Sequence, residues 1–155
     1  MSTELFLEAL NDLAHSRGAP VAQPNAHALA RNPLCGDQVA VALRVENDRI
    51  VAAAFEARGC VLCEAAASAL RKNCVGQTLD ALAAAESFLV DTANGDETEV
   101  PAAWSQLEVF APLQSFPGRL KCVLLPLQAL RLALQRNGAN VSSEFSDTSK
   151  TGVST

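Results

Sequence analysis

The chain has 155 residues, of which 49% are hydrophobic and 19% are charged, and its formal net charge is -5 at pH 7. This length and composition are typical of one globular domain that buries a core of its own, so metal is not needed merely to form a core. The sequence has no run of basic residues that would favour nucleic acid as a partner, and its first residues do not resemble a signal peptide. It has no apolar run that is long enough to span a membrane. We therefore expect a cytoplasmic protein.

The N-terminal segment is predicted to form a helix and then an irregular connector. Ser2 or Thr3 can cap a helix that runs to about Ser16, in which leucines recur partly at helical spacing. Prolines interrupt residues 19–34, where few apolar positions are periodic, and this composition indicates a connector. The connector brings the chain to Cys35.

A β-hairpin is predicted directly after the connector. Residues 39–45 alternate between apolar and other side chains with the period of a strand that has one buried face. Asn47-Asp48 supplies turn chemistry, and a second apolar run covers residues 50–55. We therefore expect two antiparallel strands that end at Gly59.

Helices and loops are predicted for the following part of the chain. Residues 61–74 are rich in Ala and Leu and precede a glycine, which indicates a helix with a glycine stop. Thr78 can cap the next helix, which runs to about Phe88. Residues 91–101 carry several acidic side chains and are expected to form a solvated surface loop.

The last predicted helix begins near Cys122 and runs to about Arg136. Pro126 is compatible with this helix if it lies in the first turn, where backbone N–H groups have no helical acceptor. A short helix packed on the core is indicated before it by Trp104, Leu107 and Phe110.

Together these elements predict an α+β fold. A small antiparallel sheet of about three strands would have helices packed on one face and a metal site at one end. Residues 1–137 are expected to form a single domain. Residues 138–155 contain eight Ser or Thr and few large apolar side chains, which indicates a disordered tail.

The five cysteines are an odd count that fits poorly with a fully paired disulfide framework. They suggest thiolate chemistry, metal ligation or simple burial, and we assign Cys63 and Cys74 to the buried class. Cys60 and Cys63 also form a CxxC pair, which is typical of a redox pair or of half a zinc ribbon. A zinc ribbon needs a second such pair, and a thioredoxin-like site would follow the first strand of a βαβ unit instead of a hairpin.

A metal or persulfide site is predicted where the two hairpin strands begin and end. Cys35 and Asp37 enter the first of these strands, and Cys60 leaves the second, so these residues can approach one another. Cys122 is placed at the start of the last helix. Thiolates favour zinc or iron, and one carboxylate among them gives a harder and more exchangeable bond than a further cysteine would.

The surroundings of Cys122 are expected to lower the pKa of its thiol. The residue follows Arg119 and Lys121 and lies at a helix N-terminus. Cations and the positive end of a helix both favour a thiolate. Arg119 and Lys121 are therefore predicted to support the site.

Three motifs resemble those of the IscU/SufU/NifU N-terminal family of iron-sulfur cluster assembly proteins. They are Asn32-Pro33-Leu34-Cys35-Gly36-Asp37, the pair Gly59-Cys60 before an Ala/Ser-rich helix, and Arg119-Leu120-Lys121-Cys122. The resemblance covers roughly residues 30–135. It implies zinc, iron or a 2Fe-2S cluster as the bound group, and it implies a cysteine desulfurase and downstream iron-sulfur acceptor or carrier proteins as partners. The implied ligands are Cys35, Asp37, Cys60 and Cys122.

The residue before the last cysteine, Lys121, resembles one branch of that family more than the other. IscU proteins have a histidine before the last cysteine, whereas this chain has Lys121 and so resembles the SufU branch, in which zinc occupies the site and a cysteine accepts sulfur. By that resemblance the acceptor is Cys35 or Cys122, and we favour Cys35 because its glycine-flanked loop can swing. The chain departs from the family in having no Tyr, and Cys63 stands where the family normally has a small or polar residue.

Three functions remain open at this point. The chain is a scaffold on which a cluster is assembled and handed on, a zinc-dependent sulfurtransferase that relays persulfide sulfur, or a degenerate member with a purely structural zinc site. The scaffold has no substrate turnover, so we lean towards a protein that is not an enzyme. If it is an enzyme, we expect a sulfurtransferase.

Overall fold

The structure is a computed structural model that describes Glu8, residues 20–33 and residues 36–139. The predicted first helix lies outside the described residues except for Glu8, which is helical. Cys35 and the tail from residue 140 onwards also lie outside them.

Three antiparallel strands form one sheet in the order β1-β2-β3. Their bounds are Ala26–Asn32 for β1, Asp37–Glu46 for β2 and Arg49–Arg58 for β3. Along β2 every second side chain is buried, because one face of the sheet packs on the helices. Asn47 and Asp48 have positive φ angles of 53° and 64°, which suit a tight hairpin between strands with a right-handed twist. The predicted hairpin is confirmed.

Strand β1 lies inside the segment that was predicted to be an irregular connector, so that prediction is wrong for Ala26–Asn32. The inward-facing residues of this strand are Ala26, Ala28 and Ala30, all of which are buried. Alanine has little preference for strands, so alternating alanines are only a weak sequence signal for a strand. The strand forms because β2 supplies its hydrogen-bond partners. The register pairs Asn32 with Asp37 and brings the end of β1 to the start of β2.

Helix α1 spans Val61–Asn73 and returns along the sheet from the end of β3. Half of its buried residues are alanines, which let the helix approach the sheet and its neighbouring helices closely. Gly76, with a φ of 90°, follows the helix, and its N–H donates to the Ile50 carbonyl at 2.7 Å. The far end of α1 is thereby attached to the start of β3, and its N-terminus lies at the other end of the sheet.

The segment after α1 closes the core. A 3-10 turn at Leu79–Ala81 precedes helix α2, which spans Leu82–Ala93 and so ends five residues beyond the predicted Phe88. An irregular 3-10 segment spans Ala102–Ser115. Its buried side chains include the three predicted to pack on the core, Trp104, Leu107 and Phe110. The indole N–H of Trp104 donates to the Ala81 carbonyl at 3.0 Å, so the segment and α2 are joined.

Helix α3 spans Leu120–Ala139 and packs across β1, β2 and α1. Cys122 lies in its first turn, as predicted. Pro126 does not, because the helix begins two residues earlier than Cys122, and the proline is therefore its seventh residue. Proline has no N–H to donate to the carbonyl four residues earlier, which here is that of Cys122, and the Pro126 side chain is buried.

The described residues share one hydrophobic core between the sheet and the helices. The predicted α+β architecture, with helices on one face of a three-stranded antiparallel sheet, is confirmed. None of the helices within the described ranges is both long enough and apolar enough to cross a membrane.

Candidate metal centre

Three predicted ligands meet at one end of the sheet. Asp37 is the first residue of β2, Cys60 directly precedes α1, and Cys122 lies in the first turn of α3. One ligand atom from each of them, a carboxylate oxygen or a sulfur, lies within 4.8 Å of the other two. Residues that are far apart in the sequence thus present one oxygen and two sulfurs to a common point.

Burial and hydrogen bonding distinguish the three side chains. Asp37 and Cys122 are each only 4% exposed, whereas Cys60 is half-buried and faces the solvent side of the site. The Cys60 thiol donates a hydrogen bond to Oδ2 of Asp37 over 3.7 Å. Asp37 therefore accepts a hydrogen bond from a neighbouring thiol, and Cys60 is the most exposed of the three side chains.

Gly59 leaves the space that the Asp37 carboxylate occupies. A β-carbon built on Gly59 would lie 2.4 Å from Cγ and from Oδ1 of Asp37. Carbon atoms do not approach so closely, so a larger residue would displace the carboxylate or the backbone beside Cys60. In the sequence, Gly59 stands out only as part of a motif. Its steric role could not be predicted, because the contact joins strands that are separate along the chain.

The Cys122 thiol has a raised pKa, so the expectation that Arg119 and Lys121 lower it is wrong for the protein without metal. Burial, which is the largest cause, raises the pKa of Cys122 from 9.0 to about 12 together with hydrogen bonding to Cys60 and Asp37 and the electrostatic effect of both groups. The side chains of Arg119 and Lys121 are exposed, where water weakens their influence. A bound cation is what would stabilise the Cys122 thiolate.

Cys63 and Cys74 are fully buried, which confirms their assignment to the core. They differ in their surroundings. Burial, and then the electrostatic effect of Asp37, Cys60 and Cys122, raise the pKa of Cys63 far above its usual value. Burial raises the pKa of Cys74 to about 12 with no contribution from the site. Asp37, Cys60 and Cys122 therefore influence Cys63 and do not influence Cys74.

The fourth predicted ligand, Cys35, lies outside the described residues. The strands on either side of Cys35 meet at the site, because Asn32 at the end of β1 pairs with Asp37 at the start of β2. Gly36 has a φ of 77°, which suits glycine, and its N–H donates to the Asn32 carbonyl at 2.9 Å. The described part of this turn is therefore held at the end of the sheet where Asp37 lies.

The donor set fits a transition metal. Zinc sites are tetrahedral, with cysteine sulfur, histidine nitrogen and carboxylate oxygen as ligands, and iron-sulfur clusters are held mainly by thiolates. Asp37, Cys60 and Cys122 supply three such ligands, which leaves one coordination position for a further group. When bound, zinc or iron would supply Lewis acidity and thiolate stabilisation at this point.

The sequence comparison identifies the family. A family model described as the NifU-like N-terminal domain matches residues 10–87, half of the chain, including the positions of Asp37 and Cys60. The chain belongs to the NifU-like N-terminal domain family. The resemblance to this family that the sequence indicated is thereby confirmed.

Curated relatives of this NifU-like chain have two different descriptions. The iron-sulfur cluster assembly scaffold protein IscU of Streptococcus pyogenes serotype M1 is 27% identical over 106 residues, which are 68% of this chain and 67% of that protein. The zinc-dependent sulfurtransferase SufU of Bacillus subtilis (strain 168) is 27% identical over 99 residues, which are 64% of this chain and 67% of that protein. Sequence identity therefore does not separate the two descriptions.

Solved structures share the fold of this NifU-like chain. The N-terminal part of a NifU-like protein from Brucella abortus superposes with a TM-score of 0.77 at 22% identity, covering 86% of this chain and 94% of the other. The iron-sulfur cluster assembly scaffold protein for the SUF system from Fervidobacterium islandicum AW-1 has a TM-score of 0.71 at 22% identity and covers 86% of this chain and 99% of the other. At this identity the likeness concerns the fold.

Proposed function

We propose that this NifU-like protein is a SufU/IscU-type scaffold and sulfur acceptor for iron-sulfur cluster assembly, with a metal held by Cys35, Asp37, Cys60 and Cys122. The observation that carries the proposal is the meeting of Asp37, Cys60 and Cys122 within 4.8 Å at the edge of the sheet. The fold has a core without this site, so the cluster of ligands needs a functional reason. Family membership supplies one.

The mixed donor set supports a transfer role. Two thiolates bind zinc or iron firmly, and the carboxylate of Asp37 is a harder ligand that exchanges more readily. The half-buried position of Cys60 leaves the metal reachable from solvent or from a docked protein. A purely structural zinc site would instead be closed by four tightly held side chains.

Cys35 is the proposed sulfur acceptor, and Cys122 is the second candidate. Cys122 is 4% exposed and lies in the first turn of a helix, so an incoming persulfide would have difficulty in reaching it. Cys35 lies between Pro33 and Gly36 in the segment that joins β1 to β2. A residue on such a connection can exchange between metal ligation and sulfur acceptance without moving a helix.

The proposed partners are a cysteine desulfurase, which supplies the sulfur, and downstream iron-sulfur acceptor or carrier proteins in the cytoplasm. Arg119 and Lys121 are exposed immediately before the buried Cys122. This position suits contacts with an acidic patch on a docked protein better than contacts with the sulfur of Cys122.

Zinc-dependent sulfurtransfer is the second candidate function. It is favoured by Lys121, since an ammonium group is a poor metal ligand while it carries its proton. In this form of the proposal, zinc is the resident metal and persulfide sulfur is the cargo. The same ligands serve both functions, so the bound metal and sulfide distinguish them.

Anaerobic purification followed by measurement of zinc, iron and acid-labile sulfide tests the proposal. Iron and sulfide in equal amounts indicate a cluster scaffold, and zinc without sulfide indicates the sulfurtransferase. A preparation of intact, reduced protein that binds neither metal would refute both.

A Cys35→Ser variant tests the assignment of the acceptor. With a cysteine desulfurase and isotopically labelled cysteine, we expect the variant to lose sulfur uptake, whereas a Cys74→Ser variant, changed in the core away from the site, keeps it. Uptake by Cys35→Ser at the rate of the parent would show that another residue accepts the sulfur.

A further inference from the structure

A cavity with a volume of about 750 Å³ is lined by α2, by the loop that follows this helix and by the 3-10 segment Ala102–Ser115. Three of its lining residues are acidic, namely Asp96, Glu97 and Glu99, and no basic residue of the described part of the chain lines it. Cavities of this size hold small organic ligands. None of the predicted metal ligands within the described ranges lines this cavity, so it is separate from the metal centre.

Hydrogen bonds fix the start of the acidic loop to the end of α2. The Gly95 N–H donates to the Thr92 carbonyl at 3.1 Å, and the Asp96 N–H donates to the Asp91 carbonyl at 2.9 Å. This pair of bonds is the Schellman arrangement, in which a residue with positive φ ends the helix, and the φ of Gly95 is 84°. A β-carbon on Gly95 would lie 2.9 Å from Oε1 of Gln114. The loop and the 3-10 segment therefore meet at Gly95.

The acidic side chains lie where negative charge is unfavourable. Asp96 follows the C-terminus of α2, which is the end of a helix that carries partial negative charge, and the last turn of α2 has no basic residue. The ion pairs between described residues use the carboxylates of Glu46, Glu56 and Glu86, and none uses a carboxylate of this loop. A bound cation would offset this uncompensated charge.

A buried hydroxyl in the wall of the cavity has no partner. Thr92 lines the cavity and is 7% exposed, and its Oγ1 has no hydrogen-bond partner among the described residues. Leaving a buried hydroxyl without a partner costs stability, and such groups are rare in folded proteins. An unused hydroxyl beside three carboxylates indicates a ligand that supplies both positive charge and hydrogen-bond donors.

The spacing of the carboxylates suits a ligand with several separated charges better than a single metal ion. Among the described residues, three metal-ligating atoms meet within 4.8 Å only at the metal centre. The carboxylates of Asp96, Glu97 and Glu99 are therefore too far apart to share one ion. Ammonium groups spaced along an aliphatic chain can pair with separate carboxylates, and each also has N–H groups to donate to hydroxyl and amide oxygens.

We propose that this cavity binds an aliphatic polyamine. The carboxylates of Asp96, Glu97 and Glu99 pair with its ammonium groups, and the hydroxyl of Thr92 and the amide oxygen of Gln114 accept hydrogen bonds from them. The enclosed volume favours a small molecule over a segment of a protein, which would need a longer groove. The inference does not depend on the proposed metal-transfer function.

Titration of spermine into the full chain at low ionic strength tests the proposal, with the shifts of backbone amides followed by NMR. We expect saturable shifts at the amides of Gly95, Asp96 and Glu97. Because the carboxylates are exposed, the affinity should fall at least about tenfold in about 0.5 M salt, which screens their charge. A capped tetralysine peptide carries a similar charge and should bind at least about threefold more weakly, because its ammonium groups lie on separate side chains.

Variants of the carboxylates and of the hydroxyl provide the second part of the test. Glu97→Gln combined with Glu99→Gln should weaken spermine binding at least about tenfold. The matched control, Asp48→Asn combined with Asp80→Asn, removes two exposed carboxylates outside the cavity and should change the affinity less than about twofold. Thr92→Val should weaken binding about threefold without lowering the midpoint of urea unfolding, because its hydroxyl has no partner in the free protein.

Four results would overturn the proposal. Equal affinity in the two double variants would assign the binding to net charge alone. Tetralysine that binds as tightly as spermine would assign the cavity to a segment of a protein, and magnesium chloride that displaces spermine at matched ionic strength would assign it to a metal ion. The fourth result is the lack of saturable shifts at residues 95–97. Zinc binding should be the same in all variants, so failure here leaves the proposed function standing.

Discussion

The carboxylate of Asp37 occupies the space that a β-carbon on Gly59 would need, since such a carbon would lie 2.4 Å from Cγ of Asp37. This contact joins the first residue of β2 to the residue that follows β3. It places the carboxylate beside Cys60 and within reach of Cys122. The orientation of the Asp37 carboxylate in the candidate site therefore depends on a residue that has no side chain.

Gly59→Ala is expected to weaken zinc binding by about 10- to 100-fold, the effect typical of disturbing a residue that orients a metal ligand. Gly118→Ala is the matched control, because nothing lies within 4 Å of a β-carbon at that position. Competition with a chelator measures the affinity, and circular dichroism checks the fold. Equal zinc affinity in both variants would show that Asp37 does not act as a ligand in the orientation seen here.

Asp37→Cys is expected to slow the exchange of bound zinc. A thiolate is a softer ligand that holds zinc more firmly than a carboxylate does, so the site would become a closed one. Release of zinc to an excess of chelator should be at least about tenfold slower than from the parent. An Asp37→Cys variant that releases zinc as fast as the parent would contradict the view that the carboxylate makes the site exchangeable.

Metal binding is expected to release protons and to strengthen as the pH rises. Burial keeps the pKa of Cys122 near 12, so its thiol is protonated at neutral pH and must lose that proton to bind zinc. Each displaced proton makes the apparent affinity rise by about tenfold per pH unit below the pKa.

Calorimetry in buffers of different ionisation enthalpy measures the protons released on zinc binding. Cys122→Ser should release about one proton fewer than the parent, because serine binds zinc poorly and keeps its proton. The prediction fails if proton release is the same in both proteins.

Stability of the metal-free protein is expected to decline in alkaline solution, with Cys74 contributing to the decline. Burial raises the pKa of Cys74 from 9.0 to about 12, so the folded state holds this proton more tightly than the unfolded state does. The resulting stabilisation is complete below about pH 9 and is lost as the pH rises towards 12.

Urea unfolding between pH 8 and pH 11 provides the measurement. Cys74→Ala loses some packing at every pH but should show a shallower alkaline decline than the parent. Parallel declines in the two proteins would mean that the Cys74 proton makes no difference to the pH dependence.

Removing the metal is expected to leave the core folded. Trp104 is the only tryptophan of the chain, is fully buried and donates to the Ala81 carbonyl at 3.0 Å. Its fluorescence should therefore stay blue-shifted after treatment with a chelator and move to longer wavelength only on unfolding. A red shift on chelation alone would show that the fold depends on the metal.

Much of the architecture could be predicted from the sequence. The regular alternation in β2, the Asn47-Asp48 turn and the alanine-rich helix α1 are local patterns that match a single secondary structure. Strand β1 could not be found in the same way, because alanines carry a weak strand signal and the strand depends on pairing with β2. The helix start at Leu120 was also not predicted, because Pro126 was expected to lie in the first turn, where a proline is tolerated.

The sequence by itself determined the chemical inventory of the site, since the types and order of Cys35, Asp37, Cys60 and Cys122 indicate thiolate and carboxylate ligands and carry the resemblance to the NifU-like family. Only the tertiary structure decided which groups act on one another. The approach of Asp37 to Gly59 and the raised pKa of Cys122 arise from contacts and burial between separate elements. Such effects depend on distance in space, which cannot be read from the separation of residues along the chain.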